Sequence, residues 1–125
     1  MNYASDTEGA GRTVSEMTSR GGKAIVLQAE VARAADVQRM CEETTHVFGA
    51  VDGLVNSAGV LQCEPFEAMT EQACHSEFDT NVLGPILAIQ EALKHFPVSG
   101  GSVIREVAGG VHDGARGAHP EQSSR

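Results

Sequence analysis

Val51-Asp52-Gly53-Leu54-Val55-Asn56-Ser57-Ala58-Gly59 is the stretch that decides the fold. An apolar run of strand length ends abruptly in small polar residues and a glycine. A buried parallel strand leaves its sheet in this way. Just before it, Ala34 to Phe48 carries Val37, Met40, Cys41, Thr44, Val47 and Phe48 at helical spacing, and Gly49 suits the position after the C-cap. Earlier still, Lys23 to Gln28 is another short apolar run, read as a buried strand. Strand and helix alternate, and that alternation implies an α/β fold with a parallel sheet.

Towards the N-terminus, Asp6 to Ser19 reads as a helix with Ala10, Val14 and Met17 on one face. Asp6 is its N-cap, and Gly21-Gly22 stops it. Downstream, Glu64 to Ala68 is a short turn of helix after Pro65, and Thr70 caps a long helix reaching about Phe96. Its predicted buried stripe is Phe78, Val82, Ile86, Ile89, Leu93 and Phe96. Pro85 removes one backbone donor, so a bend or break is expected there. Ser99-Gly100-Gly101 is a turn, and Ser102-Val103-Ile104 starts another strand. From Arg105 to Arg125 there is no Leu, Ile, Met or aromatic residue, and no period of 2 or 3.6. The reading is a domain over residues 1–104 and a tail over 105–125 that is loop or disorder.

The length of 125 residues bounds the chain to one domain with a modest core. A net charge of −8 argues against a nucleic-acid partner, which requires clustered Lys and Arg. Cys41, Cys63 and Cys74 are too far apart for a zinc-ligand pair and odd in number. They read as reduced thiols of a cytoplasmic protein, with Cys41 in the core. His112 and His119 are isolated in the tail, so no metal site is expected. No secretory leader is read at the N-terminus. The longest apolar run, Val82 to Ile89, contains Gly84 and Pro85 and is too short to span a bilayer.

A strand ending in Asn-Ser-Ala-Gly brings backbone and small side chains to the carboxyl edge of the sheet, where doubly wound folds bind nucleotides. Alone, those four residues are also what any strand-to-loop turn favours. Further matches raise the specificity. Phe48-Gly49-Ala50-Val51-Asp52, Phe78-Asp79-Thr80-Asn81-Val82 and Gly100-Gly101-Ser102-Val103-Ile104 accompany the Asn56 stretch in order. Over residues 2–104 the chain resembles the short-chain dehydrogenase/reductase family, with the look of its oxoacyl-carrier-protein reductase and glucose dehydrogenase branches.

The resemblance implies a partial Rossmann-like sheet, holding strands 3, 4 and 5 of a doubly wound fold and their flanking helices. It implies an NAD(P)-dependent oxidoreductase of carbonyl and alcohol groups. Asn81 would be the catalytic-site Asn, whose backbone helps hold a water in a proton relay. Asn56, Ala58 and Gly59 would line the cofactor site, and Glu30 and Val31 would stand beside the adenine ring. An acid at the end of the second strand selects NAD by bonding the ribose 2′-hydroxyl. Here that end reads Asn2-Tyr3-Ala4-Ser5, which leans towards NADP with Ser5 in the cofactor site. The helix matching residues 70–96 would serve homo- or hetero-oligomer formation.

Much of the family's machinery has no counterpart in this sequence. There is no Thr-Gly-x-x-x-Gly-x-Gly turn to hold a pyrophosphate. The general acid is a Tyr with a Lys four residues on, and here the only Tyr is Tyr3, followed by Thr7. The place of the catalytic Ser falls near Val107-Ala108, and Ser123 and Ser124 are poor substitutes. No turnover is expected from the chain alone. Without a first strand, the runs at 23–28 and 51–56 are expected to leave unpaired edges or to pair with each other. Two other readings stand beside the oxidoreductase: a non-catalytic module that pairs with an intact homologue, and a functionless product of a disrupted gene whose tail is out of frame.

Overall fold

The structure is a computed structural model that describes residues 1–106. In chain order it contains β1 (Asn2–Tyr3), α1 (Thr7–Ser19), β2 (Leu27–Gln28), α2 (Ala34–Phe48) and β3 (Gly53–Asn56). A 3-10 turn (Phe66–Ala68), α3 (Glu71–Phe78), a π-turn (Asp79–Leu83), α4 (Gly84–His95) and β4 (Ser102–Arg105) complete it. All strand pairing is parallel, as the alternation of strand and helix predicts.

The strands form two separate pairs. β1 pairs with β2, Asn2 opposite Leu27, and β3 pairs with β4, from Gly53 opposite Ser102 to Asn56 opposite Arg105. The runs at 23–28 and 51–56 therefore do not pair with each other. The predicted strand Lys23–Gln28 shrinks to Leu27–Gln28 because β1 offers only two residues to pair with. The Leu27 N–H donates to the Met1 carbonyl at 2.9 Å, and the Met1 ammonium donates to the Ile25 carbonyl at 2.9 Å. The ladder ends where its partner ends. At the other limit β4 runs through Arg105, one residue past the sequence boundary, and the Glu106 N–H still donates to the Asn56 carbonyl at 2.9 Å.

The caps fall where the sequence puts them. The Asp6 carboxylate accepts from the Gly9 N–H at 2.9 Å, and the Thr70 hydroxyl accepts from the Ala73 N–H at 3.1 Å. Each satisfies a donor that a helix start leaves unpaired. Gly49 follows α2 with φ of 85°, in the left-handed region that a side chain disfavours. On α1 the predicted face is only partly covered: Ala10 is buried and Met17 is exposed.

The long helix from Glu71 to His95 is interrupted as Pro85 requires. In a regular helix the Pro85 ring would meet the carbonyl of Asn81, and its missing N–H would leave that carbonyl unpaired. The π-turn at Asp79–Leu83 opens the winding just before the proline. The Asn81 carbonyl is thereby released from the helix ladder.

The buried face of α4 differs from the predicted stripe. Phe78 is 63% exposed and Leu93 61%; Val82 and Ile86 are exposed too, while Ile89 and Phe96 are half-buried. The buried residues are Gly84, Pro85, Ala88 and Ala92. Gly84, Ala88 and Ala92 recur every four residues, so they share one face. α4 packs against α2, where Val37 and Cys41 are buried. Small residues allow two helices to approach closely, and side-chain size at the contact sets the spacing. Gly84 has a separate tight neighbour, since a Cβ there would lie 2.9 Å from Cγ2 of Val31.

One hydrogen bond ties α4 to the sheet, and a second set steadies its last turn. The Val51 N–H donates to the His95 carbonyl at 3.0 Å, which ties the end of α4 to the approach of β3. Glu91 bonds Lys94 at 2.5 Å and His95 at 3.2 Å, and these partners hold its carboxyl below the usual range. Burial, followed by the nearby Glu91 carboxylate, pushes the Cys41 thiol up. It is a packing group, as its place on the apolar stripe predicts. Among the described residues, no helix is long and apolar enough to cross a membrane.

Candidate functional site

Parallel strands leave their carboxyl ends on one edge, and the loops there meet the long helix at its π-turn. The result is a cleft of about 290 Å³ beyond β3 and β4. The β3 exit supplies Asn56, Ser57, Ala58, Gly59, Val60 and Leu61, the long helix supplies Asn81 and Pro85, and β4 supplies Arg105 with Glu106 after it.

Asn81 holds the cleft together. Its Nδ2 donates to the Val60 carbonyl at 2.7 Å, and its Oδ1 accepts from the Val60 N–H at 2.9 Å. Both ends of the amide are therefore spent on one backbone residue of the β3 exit loop. A second tie runs from Glu77, whose Oε1 accepts from the Gln62 N–H at 2.7 Å. The released Asn81 carbonyl is also occupied: Nη2 of Arg105 donates to it at 2.8 Å. Beside it, the Ser57 hydroxyl donates to Oε2 of Glu106 at 2.6 Å. Nδ2 of Asn56 is sealed from solvent and meets no acceptor. Such an unpaired buried donor costs about 1–3 kcal/mol.

Four of the seven sequence-predicted site residues, Asn56, Ala58, Gly59 and Asn81, thus come together at one cleft. The other three do not line it. Ser5 is exposed in the turn between β1 and α1, where its carbonyl accepts from the Thr7 N–H at 3.1 Å. The Glu30 N–H donates to Oδ2 of Asp36 at 2.9 Å, which pins the β2 exit to α2. Val31 packs against Gly84. Sequence reasoning missed Arg105 and Glu106, which it assigned to the tail. No periodicity or motif in the sequence marks them. Val107, Ala108, His112, His119, Ser123 and Ser124 lie outside the described residues. Among the described residues, no cluster of His, Cys, Asp or Glu is able to hold a metal ion.

The short chain dehydrogenase family profile matches residues 1–111. The chain belongs to the short-chain dehydrogenase/reductase family. It is 43% identical over 104 residues to an uncharacterized oxidoreductase of Methylorubrum extorquens, covering 83% of this chain and 42% of that protein. It is 37% identical over 92 residues to the 3-oxoacyl-(acyl-carrier-protein) reductase of Staphylococcus aureus, covering 74% of this chain and 37% of that one. The fold matches the crystal structure of a short chain dehydrogenase from Burkholderia cenocepacia in complex with NADP. There the TM-score is 0.78 at 27% identity, over 83% of this chain and 42% of the other. The chain spans less than half the length of these relatives.

The nicotinamide cofactor of the family can be tested against this geometry. Ala58 and Gly59 leave room for a close approach, and Asn56 to Gly59 form one wall. A cleft of about 290 Å³ is small for a whole dinucleotide, given that pockets for drug-sized ligands run about 300–1,000 Å³. The residues suit one half of such a molecule. No second side of a pyrophosphate site is present in this sequence.

Proposed function

We propose that this chain is one wall of the active site of an NAD(P)-dependent oxidoreductase acting on alcohol and carbonyl groups, with NADP favoured over NAD. The bound cofactor would supply the hydride. Asn56, Ala58 and Gly59 would hold it, and Asn81 would keep the β3 exit loop at the proper distance. The observation that carries this reading is the double hydrogen bond between Asn81 and Val60, which joins the two family motifs across 21 residues of sequence. The relative solved with NADP supports the choice of cofactor. So does the absence of an acid in Asn2-Tyr3-Ala4-Ser5.

The same reading expects no turnover by the chain alone. As the carbonyl carbon takes the hydride, its oxygen needs a proton donor in reach, and the sequence has no Tyr-x-x-x-Lys to provide one. Purified chain incubated with NADPH and a panel of ketones and aldehydes should oxidise cofactor no faster than buffer. NADPH fluorescence should report weak binding that Gly59→Val abolishes. Binding that this variant leaves unaltered sinks the assignment of the wall.

The exposed apolar residues Phe78, Val82, Ile86 and Leu93 favour a second reading, in which the long helix pairs with an intact homologue. Tagged chain co-expressed with a full-length relative should carry it through purification, and Ile86→Glu with Leu93→Glu should abolish the capture. Recovery unchanged by both charges rejects this surface.

A further inference from the structure

Arg105 stands in the cleft with most of its hydrogen-bonding capacity unspent. A guanidinium presents five N–H donors in a planar fork. One nitrogen is fixed on the Asn81 carbonyl at 2.8 Å. Among the described residues, no carboxylate lies within 4.0 Å of it, although the chain carries a net charge of −8. Six other Arg and Lys residues of the described part are Arg12, Arg20, Lys23, Arg33, Arg39 and Lys94, and four of these do have a carboxylate partner.

The β3 exit adds donors to the same cleft. The backbone N–H groups of Ser57, Ala58 and Gly59 find no acceptor among the described residues. Each is a donor that the acceptor oxygen of a ligand drawn by Arg105 can use. Two of the protein's own side-chain acceptors nearby are already engaged. Oδ1 of Asn81 accepts from Val60, and Oε2 of Glu106 accepts from Ser57. Arg105 itself meets no side-chain acceptor among the described residues.

The geometry points to a carboxylate-binding subsite here: Arg105, held on the Asn81 carbonyl, takes the carboxylate of a small oxo or hydroxy acid whose carbon chain lies along Leu61 and Pro85. The planar fork matches a carboxylate through two parallel hydrogen bonds. Glu106 on the rim leaves the site near neutrality, which suits a monoanion better than a phosphate dianion. This assignment names a substrate class for the oxidoreductase reading and rests on it for the word substrate. The binding of the anion itself does not require the cofactor.

The test uses the full chain labelled with nitrogen-15, titrated with 2-oxobutyrate at constant ionic strength. Butanone, which lacks the carboxylate, and inorganic phosphate form the comparison arms. The Ser57, Ala58 and Gly59 amides and the Arg105 Nε signal should shift saturably with 2-oxobutyrate and hardly at all with butanone. Arg105→Gln should weaken binding by at least about tenfold, as loss of a charge-assisted pair does. Glu106→Gln should tighten it. Should Arg105→Gln lose its dispersed spectrum, Arg105→Lys serves instead: it keeps the charge without the fork, and should bind several-fold more weakly. An unsaturable response, an affinity that the Arg105 substitution leaves unchanged, or tighter binding of phosphate than of 2-oxobutyrate overturns the subsite. A separate NADPH titration distinguishes the two readings. A chain that binds 2-oxobutyrate but does not bind NADPH keeps the subsite and removes the oxidoreductase interpretation.

Discussion

Ala92→Leu should destabilise the chain by about 1–3 kcal/mol, the ordinary cost of forcing extra methylenes into a packed contact. Ala92 is 1% exposed and shares its face of α4 with Ala88 and Gly84. The core is otherwise thin. Among the described residues its buried hydrophobic members are Ala10, Ala29, Val37, Cys41, Ala88 and Ala92, and of these Val37 is the largest fully buried side chain. A domain with so little interior has small reserves, so the loss should show as a lower denaturant midpoint at unchanged slope. Ala92→Gly separates sterics from helix propensity: it leaves the contact open and should cost about 1 kcal/mol through the backbone alone. On the neighbouring stripe, Leu93→Glu should change stability by no more than about 0.5 kcal/mol, since Leu93 is 61% exposed. The reverse pattern, with Leu93→Glu severe and Ala92→Leu benign, would mean that the helix is rotated to bury its large residues.

That pair of outcomes weighs two ways of reading one helix. Periodicity finds Phe78, Val82, Ile86, Ile89, Leu93 and Phe96, because it follows large apolar side chains. Packing chooses Gly84, Ala88 and Ala92, because α4 meets α2 at close range. The two stripes run side by side on the same cylinder, and a hydrophobic scale gives the small residues almost no weight. The sequence does carry the ends of the helices, since Asp6, Gly49 and Thr70 act through local chemistry that needs no partner element. Strand extent is different. Lys23 to Gln28 has the right composition throughout, yet only Leu27–Gln28 pair, because a ladder is a property of two strands.

The cleft was legible in the same uneven way. Asn56, Ala58, Gly59 and Asn81 belong to recognisable motifs, and the structure gathers them. Arg105 and Glu106 belong to none. They stand where a Gly-rich, aperiodic stretch begins, so composition draws the boundary one residue too early. Their contacts to Asn81 and Ser57 arise from the register of β4 on β3, in which Arg105 lies opposite Asn56. Pro85 gave the correct location for an irregularity and not its form. The π-turn relieves the proline and at the same time presents the Asn81 carbonyl to Arg105.

Asn81→Asp should open the cleft more than any other single change of similar size. The substitution keeps the shape of the side chain and replaces the Nδ2 donor with an oxygen, which would then face the Val60 carbonyl at 2.7 Å. Attraction becomes repulsion between two acceptors. Asn81→Ala only deletes both bonds, at a net cost of about 0.5–1.5 kcal/mol each. If the clamp carries the loop, both variants should release the segment after β3, with Asn81→Asp the stronger. Exchange of the Val60 amide with deuterium should accelerate by about tenfold or more, the factor expected for about 1.4 kcal/mol of lost protection. Cleavage beside Phe66, which is 85% exposed on that segment, should quicken in parallel. The Leu27 and Ala29 amides, which pair β2 with β1, provide the internal reference and should exchange as before. Uniform acceleration at all of these amides would instead mark global destabilisation. Unchanged exchange at Val60 would show that the loop is held without Asn81, and that the residue joining the two motifs is not the one that shapes the cleft.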